Sequence, residues 1–236
     1  MQGVARPRSA GAVEVLVTLA GQVLVPDGTG ALYWPSERTL LVSDLHLGKG
    51  AAFARRGVML PPYDTRQTLE RLSAVLSRYD ASTVISLGDS FQDARACTEV
   101  SADDLALLAR LQRGRAWVWV RGNHDREAAI AGGEVVDEIV VSGLTLRHEP
   151  VAAPGSCEIA GHLHPAAKVA LEGGTLRRAC FVSDGNRLVM PAFGTFTGGL
   201  NVLSAPFAGL FAARVLVHLI SNGQVYPVAA RRLRPD

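Results

Sequence analysis

LLVSDLHLGKG, residues 40–50, is the stretch on which the reading of the whole chain turns. An apolar run from Thr39 to Val42 leads into it and delivers Asp44 and His46 at its end. On an extended chain, residues two apart point to the same face. A carboxylate and an imidazole would therefore converge where a strand stops. Gly48 and Gly50 follow and free the backbone to turn. Oxygen together with imidazole nitrogen is a donor set for Mn, Fe, Zn or Ni rather than Ca or Mg. Alone, the pair equally fits a turn-capping Asp and a histidine satisfied by backbone. What decides is whether the chain supplies further donors at other strand ends.

Working outward, the spacing predicts a hairpin of Val13–Leu19 and Gln22–Pro26 around Ala20-Gly21, then short strands at Ala31–Trp34 and Thr39–Val42. Ala51–Arg56 reads as a helical piece ended by Leu60-Pro61-Pro62. Thr65 is expected to cap a long amphipathic helix reaching Arg78, with Leu69, Leu72, Val75 and Leu76 on one face. Thr83–Leu87 and Trp117–Val120 are continuous apolar runs, the mark of strands buried on both faces. Between them Ser101–Leu111 reads as a helix burying Leu105, Leu108 and Leu111. Strands are expected at Val135–Ile139, Leu144–Leu146 and Cys157–Ala160, around Val169, and at Cys180–Val182 and Leu188–Met190. The last two are Ala212–Leu219 and Gln224–Pro227, the latter pair joined by a tight turn at Ser221-Asn222-Gly223. No repeat or linker interrupts the pattern, so residues 13–236 are read as one domain behind a flexible tail, residues 1–12.

The chain of 236 residues is 48% hydrophobic and 19% charged, which supplies a sizeable core and excludes global disorder. A net charge of +2 is too near neutral to argue for nucleic acid by itself. Arg outnumbers Lys by 22 to 2, which suits bidentate phosphate binding but also follows from compositional bias. Cys97, Cys157 and Cys180 form no CxxC pair, so neither a disulfide framework nor a zinc ribbon is indicated, and a reducing cytoplasm fits best. The first residues lack an apolar signal-peptide core, and the apolar stretch from Val202 to Ile220 is broken by Pro206, Gly209, Arg214 and His218, so no membrane span is expected.

Polar clusters follow the apolar runs: Asp44 with His46, Asp89, Asn123 with His124, His148, and His162 with His164. Five of the six histidines lie in them; His218, inside VLVHLI, reads as structural. Carboxylates, an amide oxygen and imidazoles suffice for two divalent ions sharing one carboxylate, an arrangement that clamps the attacking and leaving oxygens of a phosphoryl transfer.

SDLHLG (43–48), GDSFQD (88–93), GNHD (122–125), RHEP (147–150) and GHLHP (161–165) resemble the motifs of the calcineurin-like metallophosphoesterases, over about residues 39–165. The resemblance implies an α+β fold, a β-sandwich of two mixed sheets flanked by helices in four αββα layers. It implies one metal held by Asp44, His46, Asp89 and His164, and a second by Asp89, Asn123, His148 and His162, with Asp89 bridging. It further implies in-line attack on phosphorus by a hydroxide between the ions, with His124 as the catalytic residue that helps the leaving oxygen depart. Arg147 stands before His148 where that family usually has Gly. Asp125 would orient His124 or cap a helix, and Asp93, off the usual spacing, would be a cap or a support. Arg121, Lys49, Arg55 and Arg56 flank the site as candidate substrate contacts, though a salt bridge for Arg121 and helix solvation for the other three fit equally.

A closer likeness lies in ALYWPSERTLLVSDLHLGKGAAF (31–53), LPP (60–62) and SLGDSFQD (86–93), which are similar to the ligase-associated DNA-damage-response endonucleases of the PdeM type. That likeness implies a Mn-dependent DNA endonuclease of DNA repair, with Fe, Zn, Ni or Co as other candidate metals. The implied functional partners are a DNA ligase, an exonuclease and a helicase. Gln92 departs from the histidine expected there. Two alternatives remain. One is a phosphodiesterase or pyrophosphatase for a small nucleotide-type substrate, although no apolar, Arg-rich insertion separates GNHD from GHLHP. The other is a metal-bound scaffold without activity, which loss of His124 would have favoured.

Overall fold

The computed structural model describes residues 15–61, 63–124, 132–153, 156–212 and 214–236. The proposed tail (1–12), the first two residues of the predicted hairpin, Pro62, and Asp125 with Arg126 lie outside them.

The first half of the chain builds one sheet. Its strands are β1 (Val17–Leu19), β2 (Gln22–Pro26), β3 (Leu32–Trp34), β4 (Thr39–Val42), β5 (Thr83–Leu87), β6 (Ala116–Val120) and β7 (Glu134–Val136), in that spatial order. β1 to β4 pair antiparallel, and β4 to β7 pair parallel. Parallel neighbours need crossovers, and these carry the helices: α1 (Lys49–Ala54), α2 (Asp64–Leu76), α3 (Ala96–Glu99) and α4 (Ala102–Gln112).

The second half builds the other sheet from β8 (Glu138–Val141), β9 (Leu144–Arg147), β10 (Glu158–Ala160), β11 (Pro165–Leu171), β12 (Gly174–Ser183), β13 (Arg187–Val189), β14 (Leu200–Asn201), β15 (Leu216–Ser221), β16 (Gln224–Val228) and β17 (Leu233–Arg234). The path β14-β11-β12-β13-β10-β9-β8 is extended by β15 and β16 beside β12 and by β17 beside β11.

Strand alternation decides the layers. Leu40 and Val42 of β4 face the helices, packed with Leu69, Leu72 and Val75 of α2 and Leu108 and Leu111 of α4. Leu41 points the other way, into a core shared between the sheets with Ile85, Val118, Leu146, Ile159 and Phe181. The outer face of the second sheet is covered by Val202, Phe207 and Leu210, on irregular chain around a 3₁₀ turn at Ala205–Phe207. The two mixed sheets and their helical flank are those of the expected α+β sandwich. All four α-helices of the described residues lie between residues 49 and 112, so the fourth layer is irregular chain.

Several local expectations change. Val135–Ile139 is two strands: the chain leaves the first sheet after Val136 and enters the second at Glu138. In α4 Leu107 is buried and Leu105 faces solvent. Ser101 caps α4, accepting from Asp104 N at 3.1 Å. Thr65 lies inside α2 and does not cap it; its Oγ1 accepts from Gly48 N at 2.8 Å, across from the start of α1. The strand expected from Ala212 begins at Leu216. Among the described residues no helix is long and apolar enough to cross a membrane.

Candidate metal centre

The polar clusters meet at one end of both sheets. Asp44 and His46 follow β4, Asp89 follows β5, Asn123 and His124 follow β6, His148 follows β9, and His162 and His164 follow β10. The extended geometry expected for Asp44 and His46 is not what joins them. Asp44 (φ 53°), His46 (φ 46°), Asp89 (φ 46°), His162 (φ 67°) and His164 (φ 43°) are all left-handed. L-residues adopt that conformation rarely and at some cost in strain. Backbone bonds between loops hold it: Asp44 N donates to Gly88 O (3.2 Å), His46 N to Asp89 O (2.9 Å) and Leu47 N to Ser90 O (2.9 Å). The loops after β4 and β5 thus continue the parallel pairing past their strands, ending in a bridge between Leu47 and Phe91.

Two donor groups result. Asp44, His46 and His164 form one, and Asp89, His148 and His162 the other; within each, one ligand atom per residue lies within 4.8 Å of the others. Asn123 joins the second, its Oδ1 lying 3.0 Å from His148 Nε2. The carboxylates are oriented as well as buried. Asp44 Oδ2 accepts from Ser43 Oγ and from His162 N (3.1 Å). Its Oδ1 is buried without a hydrogen bond, 3.1 Å from His164 Nε2. Asp89 Oδ1 accepts from His124 N at 2.9 Å, which leaves Oδ2 facing His148 Nε2 at 3.4 Å. His148 Nδ1 lies 2.9 Å from Leu87 O, and a donor there turns Nε2 inward.

The crowding fits a cation. His46 and His164 bring ring nitrogens to 3.5 Å, and His148 and His162 to 3.1 Å. Protein alone leaves Asp44 Oδ1 and His46 Nδ1 buried and unsatisfied, and such atoms are expensive unless something pairs with them. Protonation follows the same logic. Burial holds the His46 imidazole down at about 4, against the pull of Asp44. Burial also opposes charge on His148, but the hydrogen bond and charge of Asp89, with Asp44, outweigh it and raise His148 to about 9. Asp89, though buried, is held at about 2 by His148. Burial and then the His148 charge lower His162. Metal-free, the second group therefore keeps a proton where a divalent ion would sit.

His124 belongs to neither group. Its Nδ1 lies 2.9 Å from the Gln92 carbonyl and its Nε2 3.9 Å from Asp89 Oδ2, in an open cleft of about 430 Å³ lined also by Lys49, Phe53, Arg56 and Thr197–Leu200. Lys49 is buried, its ammonium 5.8 Å from the Phe53 ring centre, and burial lowers its pKa against the pull of Asp64 and Asp44. Arg56 is exposed at the mouth. Arg55 is engaged by Asp93 and Glu99, and Arg121 by Asp137 at 3.1 Å. The salt bridge that was the alternative for Arg121 is present, and Arg55 is ion-paired rather than left to solvate the helix. Asp93 Oδ1 also accepts from Arg95 N and Ala96 N (2.9 Å), the cap expected of it. His218 lies in β15, away from the site.

A sequence model of the calcineurin-like phosphoesterase family matches residues 37–174. The chain belongs to that family. It is a metal-dependent phosphoesterase, and both donor groups fall inside the matched residues. Of solved structures, Pseudomonas putida nuclease MPE is 33% identical with a TM-score of 0.71, over 92% of this chain and 100% of that one. A protein of unknown function from Aquifex aeolicus is 19% identical over 53% of this chain and 78% of that one, with a TM-score of 0.37, too low to carry any argument. No curated protein matches.

Sequence reasoning missed what lies behind the phosphoesterase site. Ser43 orients Asp44, and the segment Phe193–Gly194 donates to Ser43 O (2.7 Å) and Asp44 O (3.0 Å). Gly194 is compatible with a loop there but carries no sign of what it touches.

Proposed function

We propose that this phosphoesterase is a dinuclear, Mn-preferring phosphodiesterase that cuts DNA internally, in DNA repair. The chemistry rests on two donor groups, each with a buried carboxylate, that reach one cleft through His46, His162 and His164. The substrate rests on the likeness to a nuclease over 92% of the chain. In this reading Asp44, His46, Asp89 and His164 hold one ion, and Asp89, Asn123, His148 and His162 the other. A mixed oxygen and imidazole set admits Mn, Fe, Zn, Ni or Co, and the choice of Mn rests on the resemblance to the ligase-associated group. Bound, the ions would supply a nucleophile at neutral pH and charge for the phosphate oxygens.

The chain's own groups do the rest. With Nδ1–H donating to Gln92 O, His124 presents Nε2 to the cleft, where its protonated form donates to the leaving oxygen. Lys49 and Arg56 contact the phosphodiester from the α1 wall. Arg55 and Arg121 hold Asp93, Glu99 and Asp137 in place. The resemblance to the ligase-associated group adds functional partnership with a DNA ligase, an exonuclease and a helicase. The free thiols Cys97, Cys157 and Cys180 suit a cytoplasmic setting.

The test is hydrolysis with added Mn of bis-p-nitrophenyl phosphate beside covalently closed circular DNA. Closed circles have no ends, so cleavage of both reports internal incision and supports the proposal. Hydrolysis of the small diester with intact circles would replace it by the small nucleotide-type substrate, which a cleft of about 430 Å³ also admits.

A further inference from the structure

Beyond the cleft wall stands a row of cations that the metal centre does not use. Lys168 on β11 pairs directly with Arg177 on β12 and with Arg234 on β17. Directly opposed residues share one face of a sheet, where like charges repel. Arg177 and Arg234 are exposed and Lys168 half-buried. Asp236, 2.9 Å from Arg177 Nε, is the one carboxylate ion-paired with the row among the described residues.

The row abuts the cleft. Ala166 precedes Lys168 by two residues and so lies on the same face. Gly199 packs over it; a Cβ on Gly199 would fall 3.2 Å from that of Ala166. Arg177 Nη2 donates to Gly199 O at 2.6 Å, and Gly199 lines the cleft beside His162 and His164. Strand rise puts Lys168 roughly 13 Å beyond His164, about four nucleotides at the duplex rise per strand. The basic approach over α1 is weaker, because Arg55 is already neutralised by Asp93 and Glu99.

From this juxtaposition we infer that the Lys168–Arg177–Arg234 row is the track for the DNA backbone as it leaves the cleft over Gly199. The inference rests on the nuclease reading. Arg177 also ties down the cleft wall, so the test spares it. Cleavage of closed circular DNA with added Mn is followed over a KCl series for Lys168→Gln combined with Arg234→Gln, with bis-p-nitrophenyl phosphate as the control. The expected result is a kcat/KM on DNA lowered about tenfold, with the slope of log kcat/KM against log[KCl] flatter by about two, one per lost phosphate contact. Hydrolysis of the small diester stays at wild-type level. Lys168→Arg combined with Arg234→Lys keeps the wild-type slope. An unchanged slope in the Gln variant, with the wild type cutting DNA, overturns the track and leaves the nuclease reading standing. So does an equally flattened slope in the charge-conserving pair. A wild type that cleaves only the small diester overturns both.

Discussion

His124 shows how little of a residue's role lies in its own side chain. What aims the ring is the carbonyl of Gln92, 2.9 Å from Nδ1. Any residue at position 92 supplies that carbonyl, so the departure from histidine there leaves the aim of His124 intact. Because His124 is outside both donor groups, His124→Ala should keep two ions by elemental analysis while turnover on DNA falls by about two to four decades. Unchanged turnover would remove it from the chemistry. Gly122 offers the converse case. A Cβ there would lie 2.1 Å from Asp89 Oδ1 and 2.2 Å from Asp89 N. Gly122→Ala should therefore displace the Asp89 carboxylate and empty the site although no donor is altered. Retention of two ions per chain by that variant would show that the neighbouring backbone yields instead.

At the scale of elements, the site is a meeting of strand ends, and its rigidity comes from loops that go on pairing after their strands stop. Leu45 and Leu47 are buried in the helix-side core, while His46 between them lines the cleft and Asp44 beside them joins it in the first donor group. The apolar residues anchor the loop and the polar ones gain a fixed direction. α2 contributes through two threonines. Thr68 Oγ1 accepts from Thr195 N at 3.1 Å, and Thr65 Oγ1 from Gly48 N at 2.8 Å. Thr65→Val keeps the shape and leaves a buried N–H unpaired, which costs about 1–3 kcal/mol. The urea midpoint should drop accordingly with the slope unchanged. A midpoint within error of wild type would mean that the Gly48 amide finds another acceptor.

For the whole molecule, the donors matter because they come from both sheets. Asp44, His46, Asp89 and Asn123 follow strands of the first; His148, His162 and His164 follow strands of the second. Each donor group includes members from both, so an ion in either would bind the sheets together at that end. A ligand that binds only the folded state at about a hundred times its Kd adds roughly 2.7 kcal/mol. Chelation with EDTA should therefore lower the thermal midpoint by roughly 5–10 °C for a chain of this size, and added Mn should restore it. A midpoint indifferent to EDTA, in protein shown to have lost its ions, would mean that the sheets do not depend on them.

The sequence by itself determined the chemistry and the order of the elements. Donor types are residue identities, and they stand after apolar runs whose periodicity marks strands buried on both faces, as in β5 and β6. Asn222-Gly223 turning β15 into β16 is equally local, because a tight turn is satisfied within a few residues. Tertiary structure decided the rest. The left-handed turns at Asp44 and His46 exist because the loop after β5 accepts their amides. The break at Asp137 exists because two sheets compete for one apolar run. Arg55 and Arg121 meet carboxylates, and Lys168 faces Arg234, through strand and loop neighbours distant in the chain. Local pattern encodes which face of an element is apolar. It carries no signal for which distant backbone group or charge will stand opposite it, and on that the geometry of the site depends.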